Sequence, residues 1–285
     1  MPLTTTDIML ADAHKNRYAI AAFNCENAEM IQAVIAAGEE MNAPVIIQTT
    51  PTTIRYASVG LFVAATAALA KNSTIPIALH LDHGNTFELA EEAQRAGYTS
   101  IMIDGSNLPL EDNIAITKKT VGFCSQAGIP VEGELGHVGG KEDDTVAKGD
   151  AYTDPDEAIR FVGETCVSSL AVGVGTAHGV YASKPVLNIE LISVLRELLP
   201  VPLVLHGSSG LEDDVIQKCI MQGISKVNIA TDLRVAYTQA VRDFLLQDKN
   251  CFDPKKYGAA ARDAVKQIAI NRIMICGCQN KANFS

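Results

Sequence analysis

Eight short runs of apolar, β-forming residues recur along the chain, and a segment of helical character separates each run from the next. The runs cover residues 18–23, 44–49, 76–81, 100–103, 130–135, 168–173, 202–206 and 226–230. Because parallel strands need long crossover connections, this alternation predicts a parallel α/β sheet. Eight such units in about 250 residues favour a closed (β/α)8 barrel, the TIM-barrel fold, over an open doubly wound sheet.

The helical segments carry the end signals that helices need. Asp154 precedes a Pro-Asp-Glu first turn, and two further acidic or hydroxyl stretches, at residues 6–7 and 212–214, also mark helix starts. Gly97, Gly128 and Gly223 each follow a last turn. No linker interrupts the 285 residues, so we expect one domain over residues 1–285.

Composition disfavours several classes of partner. The net charge is −10, which argues against nucleic acid or an anionic membrane surface as a partner. The N-terminal stretch lacks the basic and long apolar segments of a signal peptide, so we expect a cytoplasmic protein. None of the seven cysteines forms a CxxC pair, and we expect most of them to be small buried apolar residues.

Histidines cluster where the predicted strands end. Four of the six, His80, His83, His178 and His206, fall at the ends of strands three, six and seven. Carboxyl ends of barrel strands meet at one mouth, where active sites are built. Three neutral imidazoles around an open position are a standard catalytic zinc shell.

Strand geometry helps to choose among these histidines. Side chains alternate along a strand, so His80 and Asp82 share a face unless the chain turns, and Gly84 permits a turn. We therefore predict His83, His178 and His206 as metal ligands, with His80 in a supporting position. Asp82 is then a candidate acid/base beside a divalent ion that suits an enediolate; the alternative is an aspartate that only orients a ligand histidine.

The last two strands end in small and hydroxyl residues. Residues 206–210, His-Gly-Ser-Ser-Gly, and residues 228–231, Asn-Ile-Ala-Thr, stand where barrels commonly bind phosphate. Exposed backbone N–H groups, hydroxyls and a helix N-terminus near Asp232 would supply donors. Polar residues also end the other strands, among them Asn24, Gln48, Asp104, Glu132 and Glu134. The charged, glycine-rich segment 136–152 is predicted to be a mobile functional loop.

Seven ordered motifs resemble one family over essentially the whole chain. They begin with AFN at 22–24, HLDHG at 80–84, MIDGS at 102–106 and VEGELGHVGG at 131–140. GTAHGVY at 175–181, PLVLHGSSG at 202–210 and KVNIATDLR at 226–234 complete the series. The chain is similar to class II, metal-dependent ketose-bisphosphate aldolases of the short fructose/tagatose-bisphosphate branch.

The resemblance implies roles for individual residues. It implies one Zn²⁺ on His83, His178 and His206, a second or alternative metal position at Glu134 and Asp104, and a monovalent cation (Na⁺ or K⁺) nearby. It makes Asp82 the residue that handles the proton on the C4 hydroxyl, and Glu142 the candidate base, with Asn228 as a third catalytic residue. It implies substrate contacts at Asn24, Gly179, Gly207, Ser208, Ser209, Asn228, Ala230 and Thr231, and at Arg262 for the second phosphate, in some relatives across a subunit interface.

The sequence departs from the family pattern at two positions. Lys141 precedes Glu142 where many members have an acidic or amide residue, and Ala230 stands where some fructose-specific relatives have aspartate. The second departure leaves the preference for fructose or tagatose open. Lys184 lies near, but out of register with, a lysine of some relatives, and is left unassigned.

These observations predict reversible cleavage of a phosphorylated ketose, with tagatose or fructose 1,6-bisphosphate as substrate, by a homodimer or homotetramer. An aldolase for another phosphorylated ketose stays open. A Schiff-base mechanism on Lys226 is the rival chemistry, although a buried ion pair explains this lysine better. A non-catalytic, sugar-phosphate-binding partner subunit is the rival from outside the enzymes.

Overall fold

A computed structural model of the chain describes residues 3–136, 139–142, 145–147, 152–179, 181 and 185–284, with backbone only for 139–142 and 145–147. The strands are β1 Ile20–Asn24, β2 Val45–Thr49, β3 Ile77–Gly84, β4 Ser100–Ile103, β5 Val131–Leu135, β6 Gly139–Glu142, β7 Thr145–Ala147, β8 Ser169–Val172, β9 Ala177–His178, β10 Leu203–Leu205 and β11 Ile224–Ile229. The helices are α1 Thr6–Asn16, α2 Ala28–Met41, α3 Pro51–Ala57, α4 Val59–Ala70, α5 Phe87–Ala96, α6 Leu110–Cys124, α7 Pro155–Thr165, α8 Ile189–Leu198, α9 Asp213–Gln222, α10 Thr231–Gln247 and α11 Pro254–Cys276.

Eight of the strands close into a parallel barrel in the order β1-β11-β10-β8-β5-β4-β3-β2. Each predicted apolar run overlaps one barrel strand, so the (β/α)8 prediction is confirmed. Some bounds were wrong: β3 continues to Gly84, β11 begins at Ile224, and β10 ends before His206. In this topology the carboxyl ends of all eight strands lie at one mouth.

A second, three-stranded sheet lies outside the barrel. β6 pairs antiparallel with β7 and parallel with β9, where Gly140 is opposite His178. The hairpin falls in the segment predicted to be a functional loop, and the pairing aligns this segment with the chain that carries His178.

Most of the predicted helix ends are confirmed. The Asp154 carboxylate accepts from the backbone N–H groups of Asp156 and Glu157. Gly97, Gly128 and Gly223 follow their helices with φ of 114°, 67° and 138°, which non-glycine residues rarely adopt. The α1 and α9 starts, however, have no side-chain cap hydrogen bond.

The core accounts for most of the apolar residues. Strands of the barrel are buried on both faces, as expected when helices cover a parallel sheet. Five of the seven cysteines are buried, as predicted: Cys25, Cys124, Cys219, Cys276 and Cys278. In the described ranges no single helix is long and apolar enough to cross a bilayer; α3 and α4 together meet that test by length and composition, with a 90° bend between them.

Candidate active site

His83 stands at the end of β3 in an unusual backbone conformation. Its φ is +49°, in the left-handed region that non-glycine residues rarely occupy. The β3–β4 register shifts between Leu81 and Gly84. The turn therefore falls on His83, not on Gly84 as the sequence suggested. Gly84 is required for another reason: a Cβ there would lie 2.5 Å from the carbonyl oxygen of Met102.

The three predicted ligand histidines come together. The centroids of the His83 and His206 rings lie 4.6 Å apart, those of His83 and His178 5.2 Å, and those of His178 and His206 6.0 Å. One ring nitrogen from each of the three falls within 4.8 Å of the others. His83, Asp104 and Glu134 form a second such group, as the resemblance implied.

The hydrogen bonds around two of these rings indicate a cation-binding site. His83 Nδ1 contacts Asp104 Oδ2 at 2.8 Å, and His206 Nε2 contacts Glu132 Oε1 at 3.0 Å. A carboxylate accepts, so each of these nitrogens carries the proton. The remaining nitrogens, His83 Nε2 and His206 Nδ1, are then two lone pairs that face each other across 2.8 Å. Such a pair needs a cation between or beside it, and this donor set fits a divalent ion with imidazole ligands.

The ionisation of the neighbouring groups agrees with this assignment. Burial alone would raise the pKa of Glu132, but Lys226 and a hydrogen bond from His206 outweigh burial and lower it. Burial is likewise outweighed at Asp104, where hydrogen bonds from His83 and Ser106 lower the pKa. Burial lowers the pKa of His206 and favours the neutral imidazole. Neutral histidines fixed by carboxylates are the arrangement that metal ligands adopt.

Asp82 is fully buried beside the histidines and is held by amide groups. Asn24 Nδ2 donates to Asp82 Oδ2 at 2.7 Å, Asn228 Nδ2 donates to Oδ1 at 3.0 Å, and Gln48 donates at 3.2 Å. Asp82 Oδ1 lies 3.9 Å from His83 Nε2. The Asn228 Oδ1 atom is buried without a hydrogen-bond partner among the described residues, so a ligand hydroxyl or cation would satisfy it.

A pocket of small residues adjoins His178. Its lining includes every residue that the resemblance assigned to the substrate except Arg262: Asn24, Gly179, Gly207, Ser208, Ser209, Asn228, Ala230 and Thr231. Ser209 Oγ lies 3.4 Å from the backbone nitrogens of Ala230 and Asp232, and α10 begins at Thr231. A helix N-terminus with hydroxyls and close backbone is suited to an anion such as phosphate.

Two arginines differ in their position relative to this pocket. Arg262 lies on α11, where Nη1 donates to Gln32 at 2.9 Å, and it does not line the pocket of its own chain. Arg234 does line the pocket, and its Nε donates to Glu26 Oε1 at 2.6 Å. Sequence reasoning missed Arg234, although its position three residues after Thr231 on the same helix face was a usable signal.

Lys226 is placed as an ion-pair partner. It is fully buried, and Nζ donates to Glu132 Oε2 at 2.9 Å and contacts His80 Nε2 at 3.4 Å. This geometry favours the buried ion pair over the Schiff-base reading. His80 contacts Ser100 through Nδ1 and belongs to neither metal-capable group, as predicted. The side chains of Glu142 and Lys141, and the whole of His137 and Lys184, lie outside the described residues.

The fold and the site together define a class: a TIM barrel with a histidine-lined, metal-capable mouth beside an anion pocket. The family model for fructose-bisphosphate aldolase class-II matches residues 4–281. The chain therefore belongs to the class II fructose-bisphosphate aldolase family. It is an aldolase, a lyase that acts on a carbon–carbon bond.

Individual relatives agree with the family match. The chain is 43% identical to a fructose-bisphosphate aldolase of Staphylococcus aureus over 99% of this chain and 100% of that protein. The crystal structure of the YdjI aldolase of Escherichia coli matches with a TM-score of 0.87 and 38% identity, covering 99% of this chain and 100% of that one. Fructose-bisphosphate aldolase of Campylobacter jejuni, at 22% identity, shares the fold, with a TM-score of 0.83 over 99% of this chain and 97% of that one.

Proposed function

We propose that this aldolase is Zn²⁺-dependent and reversibly cleaves a ketose 1,6-bisphosphate, either tagatose or fructose 1,6-bisphosphate, to dihydroxyacetone phosphate and glyceraldehyde 3-phosphate. The observation that carries the proposal is the 2.8 Å contact between His83 Nε2 and His206 Nδ1, with His178 beside them. His83, His178 and His206 would hold the ion. When bound, the ion would act as a Lewis acid and as the electron sink, in place of a Schiff base.

The surrounding carboxylates and amides handle protons and orient the substrate. Asp82, held by Asn24, Gln48 and Asn228, moves the proton of the C4 hydroxyl. Asn228 presents its unpartnered Oδ1 towards the substrate hydroxyls. Glu142 is proposed as the base for the α-proton of dihydroxyacetone phosphate, on the strength of the family resemblance.

The glycine- and serine-rich pocket binds the phosphate of the three-carbon unit. Gly179, Gly207, Ser208, Ser209 and Thr231 line it and offer backbone and hydroxyl groups, and a Na⁺ or K⁺ ion would add charge there. Arg234 also lines this pocket, whereas Arg262, which does not, is proposed for the second phosphate from a neighbouring subunit of a homodimer or homotetramer. Glu134 and Asp104 would offer a second or alternative metal position through His83.

Substrate choice depends on the C4 hydroxyl, where tagatose and fructose 1,6-bisphosphates differ in configuration. Ala230 lines the pocket with a methyl group where some fructose-specific relatives have a carboxylate. A methyl group at this position gives no preference for fructose 1,6-bisphosphate. Tagatose 1,6-bisphosphate or another phosphorylated ketose is therefore proposed on equal terms. We also propose a cytoplasmic location, and the net charge of −10 supports a protein without nucleic acid or anionic membrane partners.

A coupled cleavage assay on a panel of phosphoketoses tests the proposal. Activity should disappear after treatment with EDTA and return with Zn²⁺ or Co²⁺. Retained turnover in metal-free protein, or a substrate adduct trapped by borohydride, would reject metal dependence. Absence of turnover by the purified chain with every ketose of the panel would favour the partner-subunit reading.

A further inference from the structure

A buried charge lies directly beneath the metal-capable histidines, and no step proposed above uses it. Lys226 in β11 is fully buried, and its Nζ donates to Glu132 Oε2 at 2.9 Å. The other oxygen of the same carboxylate contacts Nε2 of His206 at 3.0 Å. Lys226 is thus joined to a metal-capable histidine through a single buried side chain.

The ammonium group is also anchored on its opposite side. Its Nζ contacts His80 Nε2 at 3.4 Å, and His80 Nδ1 contacts Ser100 Oγ at 2.7 Å. Thr6 in α1 donates to the same Ser100 oxygen at 2.8 Å. Every member of this row is buried, so the position of Nζ is set by partners on both sides and not by solvent.

A buried ion pair is a costly way to stabilise a core. Removal of each ion from water costs several kcal/mol, and apolar residues of similar volume often stabilise a core as well or better. A paired ammonium does, however, fix the orientation of the carboxylate, because it holds that side chain in one rotamer. At Glu132 that rotamer decides which nitrogen of His206 donates and which keeps its lone pair.

We propose that Lys226 is a positioning residue for the metal ligand His206. It pins Glu132, so that His206 donates from Nε2 and directs the Nδ1 lone pair towards His83 Nε2. The inference rests on the proposed function, since it requires that these histidines bind Zn²⁺. It concerns metal affinity first and turnover only as a consequence.

The test measures Zn²⁺ affinity of the full chain, by competition with a chromophoric chelator, at a temperature where circular dichroism shows folded protein. Loss of a partner behind a ligand histidine typically weakens metal binding about 10- to 100-fold, and Lys226→Met should fall in that range. Ile273→Ala, a cavity variant in α11 away from the site, controls for lost stability and should bind Zn²⁺ as the wild type does.

A double variant, Lys226→Met with Glu132→Gln, covers the case in which the single variant does not fold. It leaves no unpaired buried carboxylate, so its melting temperature should exceed that of Lys226→Met. Its Zn²⁺ affinity should stay low, because an unpinned amide can present its NH₂ group to His206 and select the wrong tautomer. Wild-type affinity in either folded variant would overturn the positioning role. Failure of the wild type itself to bind Zn²⁺ would instead overturn the proposed function.

Discussion

Two neighbouring parts of the barrel mouth are built in opposite ways. On the side proposed to bind metal (the metal side), His83 and His206 are each hydrogen-bonded to a carboxylate, Asp104 and Glu132 respectively. On the side proposed to bind phosphate (the phosphate side), Gly207 and Ser208 bring backbone and one hydroxyl close to the pocket, with φ of +64° at the glycine. The metal side depends on the functional groups of its side chains, and the phosphate side depends on the absence of bulky side chains.

This difference has a practical consequence for mutations. Removal of a side chain should damage the metal side most, because each group there holds another in place. Addition of a side chain should damage the phosphate side most, because a Cβ on Gly207 would lie 2.7 Å from the carbonyl oxygen of Ala177. Four substitutions test this contrast, from the largest expected effect to the smallest.

His178→Ala removes one of the three proposed Zn²⁺ ligands. A metal Lewis acid supplies several kcal/mol of transition-state stabilisation, so kcat should fall at least about a thousandfold, with loss of Zn²⁺ from purified protein. Turnover and elemental analysis are measured together. His14→Ala, which removes a histidine bonded to Arg196 outside the site, is the control and should keep both. Full zinc content and turnover in His178→Ala would remove this histidine from the ligand set.

Asp82→Asn separates proton transfer from metal binding. An amide cannot accept a proton, so kcat should fall about 10²- to 10⁴-fold while zinc content is retained. Asp12→Asn, at a carboxylate that accepts from Tyr18, controls for the loss of a hydrogen-bonded acid in α1. If zinc and activity are lost in parallel in Asp82→Asn, this aspartate orients a ligand and does not transfer the proton.

The features that could be predicted from sequence are those that topology alone brings together. Strand ends of a parallel barrel meet at one mouth whatever the details of packing, so His83, His178 and His206 could be grouped from their positions along the chain. The alternation of strands and helices is also local, and it predicted all eight barrel strands.

What could not be predicted depends on packing between distant segments. The contact from Lys226 through Glu132 to His206 requires the relative register of three strands, which no local pattern encodes. Arg262 points to Gln32 because of how α11 packs on α2, and Arg234 reaches the pocket because of where α10 begins. Helix rotation of this kind is a tertiary property.

Gly207→Ala tests the phosphate side by the addition of a Cβ atom. The left-handed conformation costs an alanine about 1–2 kcal/mol, and the close approach to Ala177 forces the loop to shift. Displacement of this loop by about 1 Å should lower kcat/KM about 10- to 100-fold, with zinc content unchanged. Gly163→Ala in α7, where a Cβ meets nothing within 4 Å, is the matched control and should be neutral. Normal kinetics in Gly207→Ala would show that close backbone at this position is not needed.

Arg234→Gln tests the edge of the phosphate side, where one charged side chain does line the pocket. A hydrogen bond to a charged group contributes about 1.5 kcal/mol or more, so KM for the ketose bisphosphate should rise about tenfold. Arg262→Gln, measured in parallel, sharpens the result, because that side chain contacts Gln32 on the outside of its own barrel. A larger rise of KM in Arg262→Gln than in Arg234→Gln would mean that the second phosphate is bound across a subunit interface. The phosphate side would then depend, as the metal side does, on a side chain that neighbouring residues hold in place.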